Sequence, residues 1–231
     1  IYEDVNSALN LLEDAECKIT ERTTTASGTV RIGATDSIFS YILADKIAAF
    51  SERYPEVKLE LISSTSPETM TQLKEGKCDI AFVNLPISDP EVTLCGTIAH
   101  ISDIFIAGRK YDGLKNSCVQ LKDLQEYPLL MIEENTVARR EFSNFCDSVG
   151  IRLLPDTEVA NWDLMKKLVL LGMGVGCIPR EYCLSELADG TVFELKTRPA
   201  LPVRGVGIAV TEGARLSFAM KQFIGLFGDK I

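Results

Sequence analysis

Gly28-Thr29-Val30-Arg31-Ile32-Gly33-Ala34 opens the part of the chain that decides the fold. Its centre, Thr29 to Gly33, reads as a strand. The next segment, Ile38 to Tyr54, places Ile38, Ile42, Leu43, Ile47 and Phe50 on one helical face and stops at Pro55, which cannot continue a helix. Val57 to Ile62 then reads as a strand, Glu68 to Glu75 as a helix and Asp79 to Val83 as a short buried strand. This βαβαβ succession favours a mostly parallel sheet with helices on both faces. The series restarts after Ile104-Phe105-Ile106-Ala107. Strands at Leu129 to Ile132, Thr157 to Ala160 and Val175 to Ile178 alternate with helices at Arg139 to Val149 and Trp162 to Leu171. Val192 to Leu195 and Gly205 to Val210 add strands, and a helix from Ala214 to Phe227 follows. The expected class is α/β, with two similar units joined by extended segments.

The segment before Gly28 differs. Ile1, Val5, Ala8, Leu12, Ala15 and Ile19 recur at alternating spacings of four and three, an a/d heptad seam. It reads either as an amphipathic helix lying on its own chain or as the end of a dimerising helix that continues upstream.

Composition narrows the function classes. The 231 residues are 46% hydrophobic and 25% charged, as in ordinary globular proteins, and no apolar run approaches a membrane span. The first twenty residues carry Glu3, Asp4, Glu13, Asp14 and Glu16 and show no secretory signal. A net charge of −9 with scattered basic residues disfavours direct nucleic-acid binding, which needs clustered Lys and Arg. Seven cysteines, an odd number without a CxxC pair, point to free thiols in a reducing compartment. They read as small buried apolar residues, with a redox-sensing thiol such as Cys146 as the alternative. A single histidine, His100, leaves no metal-ligand spacing. GxSxG, HExxH and P-loop motifs are absent, so no enzymatic activity and no cofactor is expected.

Ligands of open α/β sheets bind beyond the carboxyl ends of strands, where helix N-termini offer free N–H groups. The strand-to-helix junctions here are Ala34-Thr35-Asp36-Ser37, Ser63-Ser64-Thr65-Ser66 before Pro67, Asn84-Leu85-Pro86, Glu133-Glu134-Asn135-Thr136, and Asn161 before Trp162. Each can also be read simply as an N-cap. Four hydroxyls in a row at 63 to 66 exceed what one cap requires, while Asp36 fits capping better than contact with an anion. Gly172-Met173-Gly174-Val175-Gly176-Cys177-Ile178-Pro179 has the wrong order for a dinucleotide fingerprint, because a helix runs into the glycines and a strand leaves them. A close approach of backbone to ligand remains open there.

Three stretches carry a family resemblance. Gly28 to Ala34, the helix into Phe50 and Tyr54-Pro55-Glu56-Val57 together resemble the opening of the effector-binding domain of LysR-type transcriptional regulators. Gly76-Lys77-Cys78-Asp79-Ile80-Ala81-Phe82 resembles that family's G-x-x-D-hydrophobic-A strand, and Gly172 to Pro179 its G-x-G-hydrophobic-x-x-x-P stretch. The heptad segment matches the family's linker helix.

The resemblance implies a periplasmic-binding-protein-like fold of type 2, with two Rossmann-like lobes and two crossover hinge strands. Residues 1–27 would be linker and hinge, 29–106 and 203–231 lobe I, and 107–202 lobe II. A small-molecule effector, organic acid or amino-acid-like, would sit in the cleft against Thr35, Ser37, Ser64, Thr65, Ser66, Asn84, Asn135, Thr136, Asn161 and Ile178. Asp36, and the lack of any obvious arginine beyond Arg139 and Arg140, keep a neutral, zwitterionic or amine-bearing ligand open. The resemblance further implies a cytoplasmic homodimer or homotetramer, no membrane contact, and DNA binding only through a winged helix-turn-helix lying before Ile1. The rival readings are a transporter's solute-binding receptor of the same fold and an enzyme on a similar scaffold.

Overall fold

The computed structural model describes residues 27–228. The heptad segment and the expected linker helix lie outside the described residues. Contacts divide the chain into two compact units. The first takes in the described residues up to Val83, Ser88–Ile98 and those from Gly207 onward; the second takes in Asn84–Ile87 and Ala99–Val206.

In the first unit, β1 (Gly28–Ala34) lies between β2 (Val57–Ser63) and β3 (Ile80–Asn84) and is parallel to both. Val30, Ile32 and Ala34 of β1 are fully buried, as are Ile80 to Val83 of β3, as expected of parallel strands covered on both faces. Asp79 explains why an aspartate precedes β3. Its Oδ2 accepts from the Arg31 backbone N–H at 2.7 Å, its own N–H donates to the Arg31 carbonyl at 2.8 Å, and the Arg31 Nη2 reaches its Oδ1 at 2.8 Å.

The expected first helix is one run of three stretches: α1 (Asp36–Ile38), a π-helical segment Phe39–Leu43, and α2 (Ala44–Arg53). Ile38 and Leu43 are both fully buried although five residues apart. In a regular α-helix with ~3.6 residues per turn they would point to different sides; the wider π turn restores a shared face. α3 (Ser66–Lys74) buries Ser66, Thr69 and Leu73. The last helix, α7 (Phe218–Gly225), starts at its Ser217 cap, later than the sequence pattern suggested. Its Phe223 packs edge-on against Phe50 and Phe82 at centroid distances of 5.1 and 6.0 Å.

In the second unit, β6 (Leu129–Ile132) is flanked by β7 (Thr157–Val159) and β8 (Val175–Pro179), both parallel to it. β8 is antiparallel to β4 (Val92–Gly108), which pairs in turn with β9 (Val192–Arg198). A three-residue strand β5 (Cys118–Gln120) runs parallel to β9. The helices are α4 (Val137–Ser148), α5 (Trp162–Leu170) and α6 (Leu184–Ala188). The core includes Phe105, Leu121, Leu129, Met131, Phe142, Cys146, Val175, Cys177 and Leu195. Two strands pass from one unit into the other, β4 and β10 (Val203–Thr211). The sequence pattern picked out only the apolar run Ile104 to Ala107 of β4. The residues before Ile101 are exposed or half-buried, so burial imposed no hydrophobic pattern on them.

The glycine-rich stretch serves packing. Gly172 ends α5 with φ +76°, a left-handed conformation that favours glycine. A Cβ on Gly174 would meet the Pro128 carbonyl oxygen at 2.1 Å. The close approach left open in the sequence is therefore to the protein's own backbone. Of the six described cysteines, all free, Cys78, Cys146, Cys177 and Cys183 are buried. Burial pushes the thiols of Cys78 and Cys146 up to about 11 and that of Cys183 to about 12. Such thiols stay protonated at neutral pH, which removes the physical basis for Cys146 as a sensor.

Two outcomes follow from this packing. Gly174→Ala overpacks the turn and lowers unfolding free energy by about 1–3 kcal/mol, read as a reduced urea midpoint. Gly113→Ala, where an added methyl meets nothing within 4 Å, does not lower it. Iodoacetamide labelling near neutral pH, mapped by mass spectrometry, modifies exposed Cys118 in the native protein. Cys78, Cys146, Cys177 and Cys183 react only after unfolding.

Candidate functional site

Parallel pairing brings the ends of neighbouring strands together, and with them the helix starts that follow. In the first unit, Ala34 of β1 lies in register with Ser63 of β2, and the Ser64 N–H donates to the Ala34 carbonyl at 3.1 Å. This places the Thr35–Ser37 turn beside the Ser63–Ser66 turn. Thr35 is the N-cap of α1. Its Oγ1 accepts from the Ile38 N–H at 3.3 Å and lies 3.0 Å from the Ser37 Oγ. Asp36 was the expected cap, but it is the first helical residue, and its carboxylate accepts from the Ser63 hydroxyl instead.

Thr65 caps α3 in a reciprocal box. Its Oγ1 accepts from the Glu68 N–H at 3.4 Å, and the Glu68 carboxylate accepts from the Thr65 N–H at 3.0 Å. Those hydrogen bonds hold the Glu68 carboxyl below the usual carboxylate range. Ser64 Oγ is engaged by Thr69 at 3.0 Å and by Gln72 at 3.2 Å, and Ser66 is buried. The four consecutive hydroxyl-bearing residues are thus largely consumed in ordering the turn.

The second unit repeats the arrangement. The Glu133 N–H donates to the Val159 carbonyl at 3.2 Å, joining the ends of β6 and β7. Thr136 caps α4 by accepting from the Arg139 N–H at 3.1 Å, and Asn161 caps α5 by accepting from the Leu164 N–H at 2.9 Å. Asn135 is exposed, and Ile178 is fully buried in β8 opposite Ile104. The Asn84 Oδ1 accepts from the Arg204 Nη1 at 3.2 Å.

Between these helix starts and the sheet of the second unit lies a hollow lined by Asp103, Met131, Ile132, Ala138, Arg139, Phe142, Trp162 and Cys177. Thr136, Asn161 and Ile178 each lie within a few residues of this lining. The sequence reading named the caps of these turns; the residues that line the hollow are others. Arg139 carried a signal. It stands in the first turn of α4, where the helix dipole disfavours a cation, so its charge had to be met by tertiary partners. The Arg139 Nη1 donates to the Ile132 carbonyl at 3.1 Å and to the Glu158 carboxylate at 2.8 Å. Its Nε is buried and has no hydrogen-bond partner, alone in this among the buried side-chain polar atoms of the described residues.

Asp103 is held by Arg204 in a bidentate ion pair, with Nε to Oδ2 at 2.6 Å and Nη2 to Oδ1 at 2.7 Å. Both side chains are more than nine-tenths buried. Burial alone would lower the Arg204 pKa, but hydrogen bonding to Asp103 and its charge outweigh that and raise it. The two groups neutralise each other in place. Among the described residues, no cluster of His, Cys, Asp or Glu could hold a metal ion.

Comparison with known proteins identifies what carries this arrangement. The model of the LysR substrate binding domain matches residues 23–231. The chain is 30% identical over 224 residues to the HTH-type transcriptional regulator YwqM of Bacillus subtilis, covering 94% of this chain and 73% of that protein. Among solved structures, the cofactor-binding domain of the Cbl transcriptional regulator superposes with a TM-score of 0.79 at 23% identity, covering 89% of this chain and 90% of that one. The effector binding domain of QuiR in complex with shikimate superposes with a TM-score of 0.75 at 16% identity, covering 87% and 96%. The fold is therefore that of LysR effector-binding domains, and this chain belongs to the LysR substrate-binding domain family, the ligand-sensing part of LysR-type transcriptional regulators.

Proposed function

We propose that the domain binds a small organic acid or an amino-acid-like metabolite and that binding shifts the regulator between states that differ in transcriptional output. A ligand can do this only through its differential affinity for those states. The observation that carries the reading is the pairing of helix starts at adjacent parallel strand ends, seen within each unit. There, oriented N–H groups and hydroxyls gather where α/β sheets receive ligands. The shikimate held by the effector binding domain of QuiR supports an organic acid as the ligand class. Thr35, Ser37, Ser64, Thr65 and Ser66 of the first unit, and Asn84, Asn135, Thr136, Asn161 and Ile178 of the second, are proposed as effector contacts. The caps among them act through the N–H groups they order. The protein works in the cytoplasm as a homo-oligomer, does no chemistry on its ligand, and reaches DNA through a separate helix-turn-helix.

The test is a thermal-shift screen of small carboxylates and amino acids, shikimate included, against the purified chain. A ligand present at a hundredfold its Kd adds about 2.7 kcal/mol of stability. Ser37→Ala combined with Ser64→Ala removes two hydroxyls that cap no helix but hydrogen-bond Thr35, Thr69 and Gln72, and is expected to weaken that ligand about tenfold or more, measured at a temperature where the variant's own melting curve shows it folded. A screen in which nothing stabilises the chain, or a ligand recovered as a reaction product, overturns the proposal. A second outcome concerns DNA. With a net charge of −9, the chain by itself shows no mobility shift of duplex DNA even at low salt, where phosphate contacts are strongest.

A further inference from the structure

Trp162 is the one tryptophan of the chain, and its placement narrows the ligand. Trp162, Met165 and Val169 recur at spacings of three and four, so they share one face of α5. Met165 and Val169 are fully buried. Gly176 of β8 makes room for them, since a Cβ there would meet Val169 Cγ2 at 2.8 Å and Met165 Cγ at 3.1 Å. The same face therefore carries Trp162, one turn nearer the helix start, over the carboxyl ends of the strands. Trp162 lines the same hollow as Asp103 and Ile132, the last residue of β6. The buried Tyr182 ring meets the indole edge-on, with centroids 6.2 Å apart. Held on these sides, Trp162 is still only half-buried. The hollow beneath it admits nothing larger than water, so the part of the ring open to a ligand is the outer one.

The charges around this surface are spent. Asp163 pairs with Lys166 at 3.2 Å, Glu158 with Arg139 at 2.8 Å, and Asp103 with Arg204. What Trp162 offers a ligand is thus apolar area held in place before binding, and such area binds at little entropic cost. We infer that Trp162 is a specificity-determining residue of the effector site, its exposed face receiving an uncharged ring of the ligand. The inference rests on the reading of the domain as an effector sensor and adds the shape of one part of the ligand. A rigid ring covers the indole without freezing rotatable bonds, whereas an open chain of equal size must lose that freedom. A carboxylate on the same ligand is compatible with this, received by N–H groups at the adjoining start of α5, which Asn161 caps.

Trp162 emission reports on this surface directly, with no second tryptophan to obscure it. The chain is titrated with cyclohexanecarboxylate and with heptanoate, which share a carboxylate and a carbon count and differ in ring closure. The ring compound is expected to change the emission saturably and to shield Trp162 from acrylamide quenching. It is also expected to bind at least about tenfold more tightly than heptanoate.

Trp162→Leu keeps the surface apolar but removes the ring. By calorimetry it is expected to bind cyclohexanecarboxylate about tenfold more weakly and heptanoate as before, while Trp162→Phe retains most of the preference. The melting curve of each variant sets a temperature at which it is folded, and the acrylamide measurement needs no variant. If heptanoate binds as well as the ring compound, if acrylamide quenching is unchanged at saturation, or if Trp162→Leu keeps the preference, the inference is overturned. The same holds if cyclohexanecarboxylate causes no saturable change. An effector found in the thermal-shift screen that binds the Trp162→Leu protein unchanged would overturn it and leave the sensor function standing.

Discussion

The bidentate pairing of Asp103 with Arg204 is the interaction on which the organisation of the second unit turns. Asp103 lies on β4 and Arg204 on β10, the two strands that pass between the units. A buried carboxylate is tolerable only beside a matched cation, and a buried guanidinium only beside a matched anion. The pair therefore specifies which residues of the two strands face each other. A slip by one residue would move both charges to the other face. Arg204 also reaches Asn84 at the end of β3, so three separate chain segments meet on one guanidinium. The same pair leaves the Asp103 wall of the hollow without net charge.

Capping and binding draw on the same residues. Thr35, Thr65, Thr136 and Asn161 each spend an oxygen on the first free N–H groups of a helix. A hydroxyl committed in this way contributes to ligand binding chiefly by fixing the turn, so that the remaining N–H groups point outward from a defined position. The hollow of the second unit differs from the caps in having mostly apolar walls.

The stretches that carry the family resemblance have folding reasons. Asp79 ties β3 to β1 by closing on both the backbone and the guanidinium of Arg31. Gly172 turns the chain out of α5, and Gly174 admits the Pro128 carbonyl where a methyl group would collide. A dinucleotide reading of these glycines fails on order alone, and the geometry supplies the positive reason for their presence.

By itself the sequence determined the α/β class, the order of the main strands and helices, the turns that cap them and the net negative charge, because these follow from local periodicity, cap chemistry and composition. The π-helical step at Phe39–Leu43, the exposed first half of β4, the choice of Thr35 over Asp36 as cap, and the inward-facing Asp103, Arg139 and Trp162 were decided only by tertiary structure. The physical reason is common to all of them. Each depends on a partner distant in sequence, as when Arg204 neutralises Asp103 across 101 positions, and no local pattern encodes which distant group will arrive.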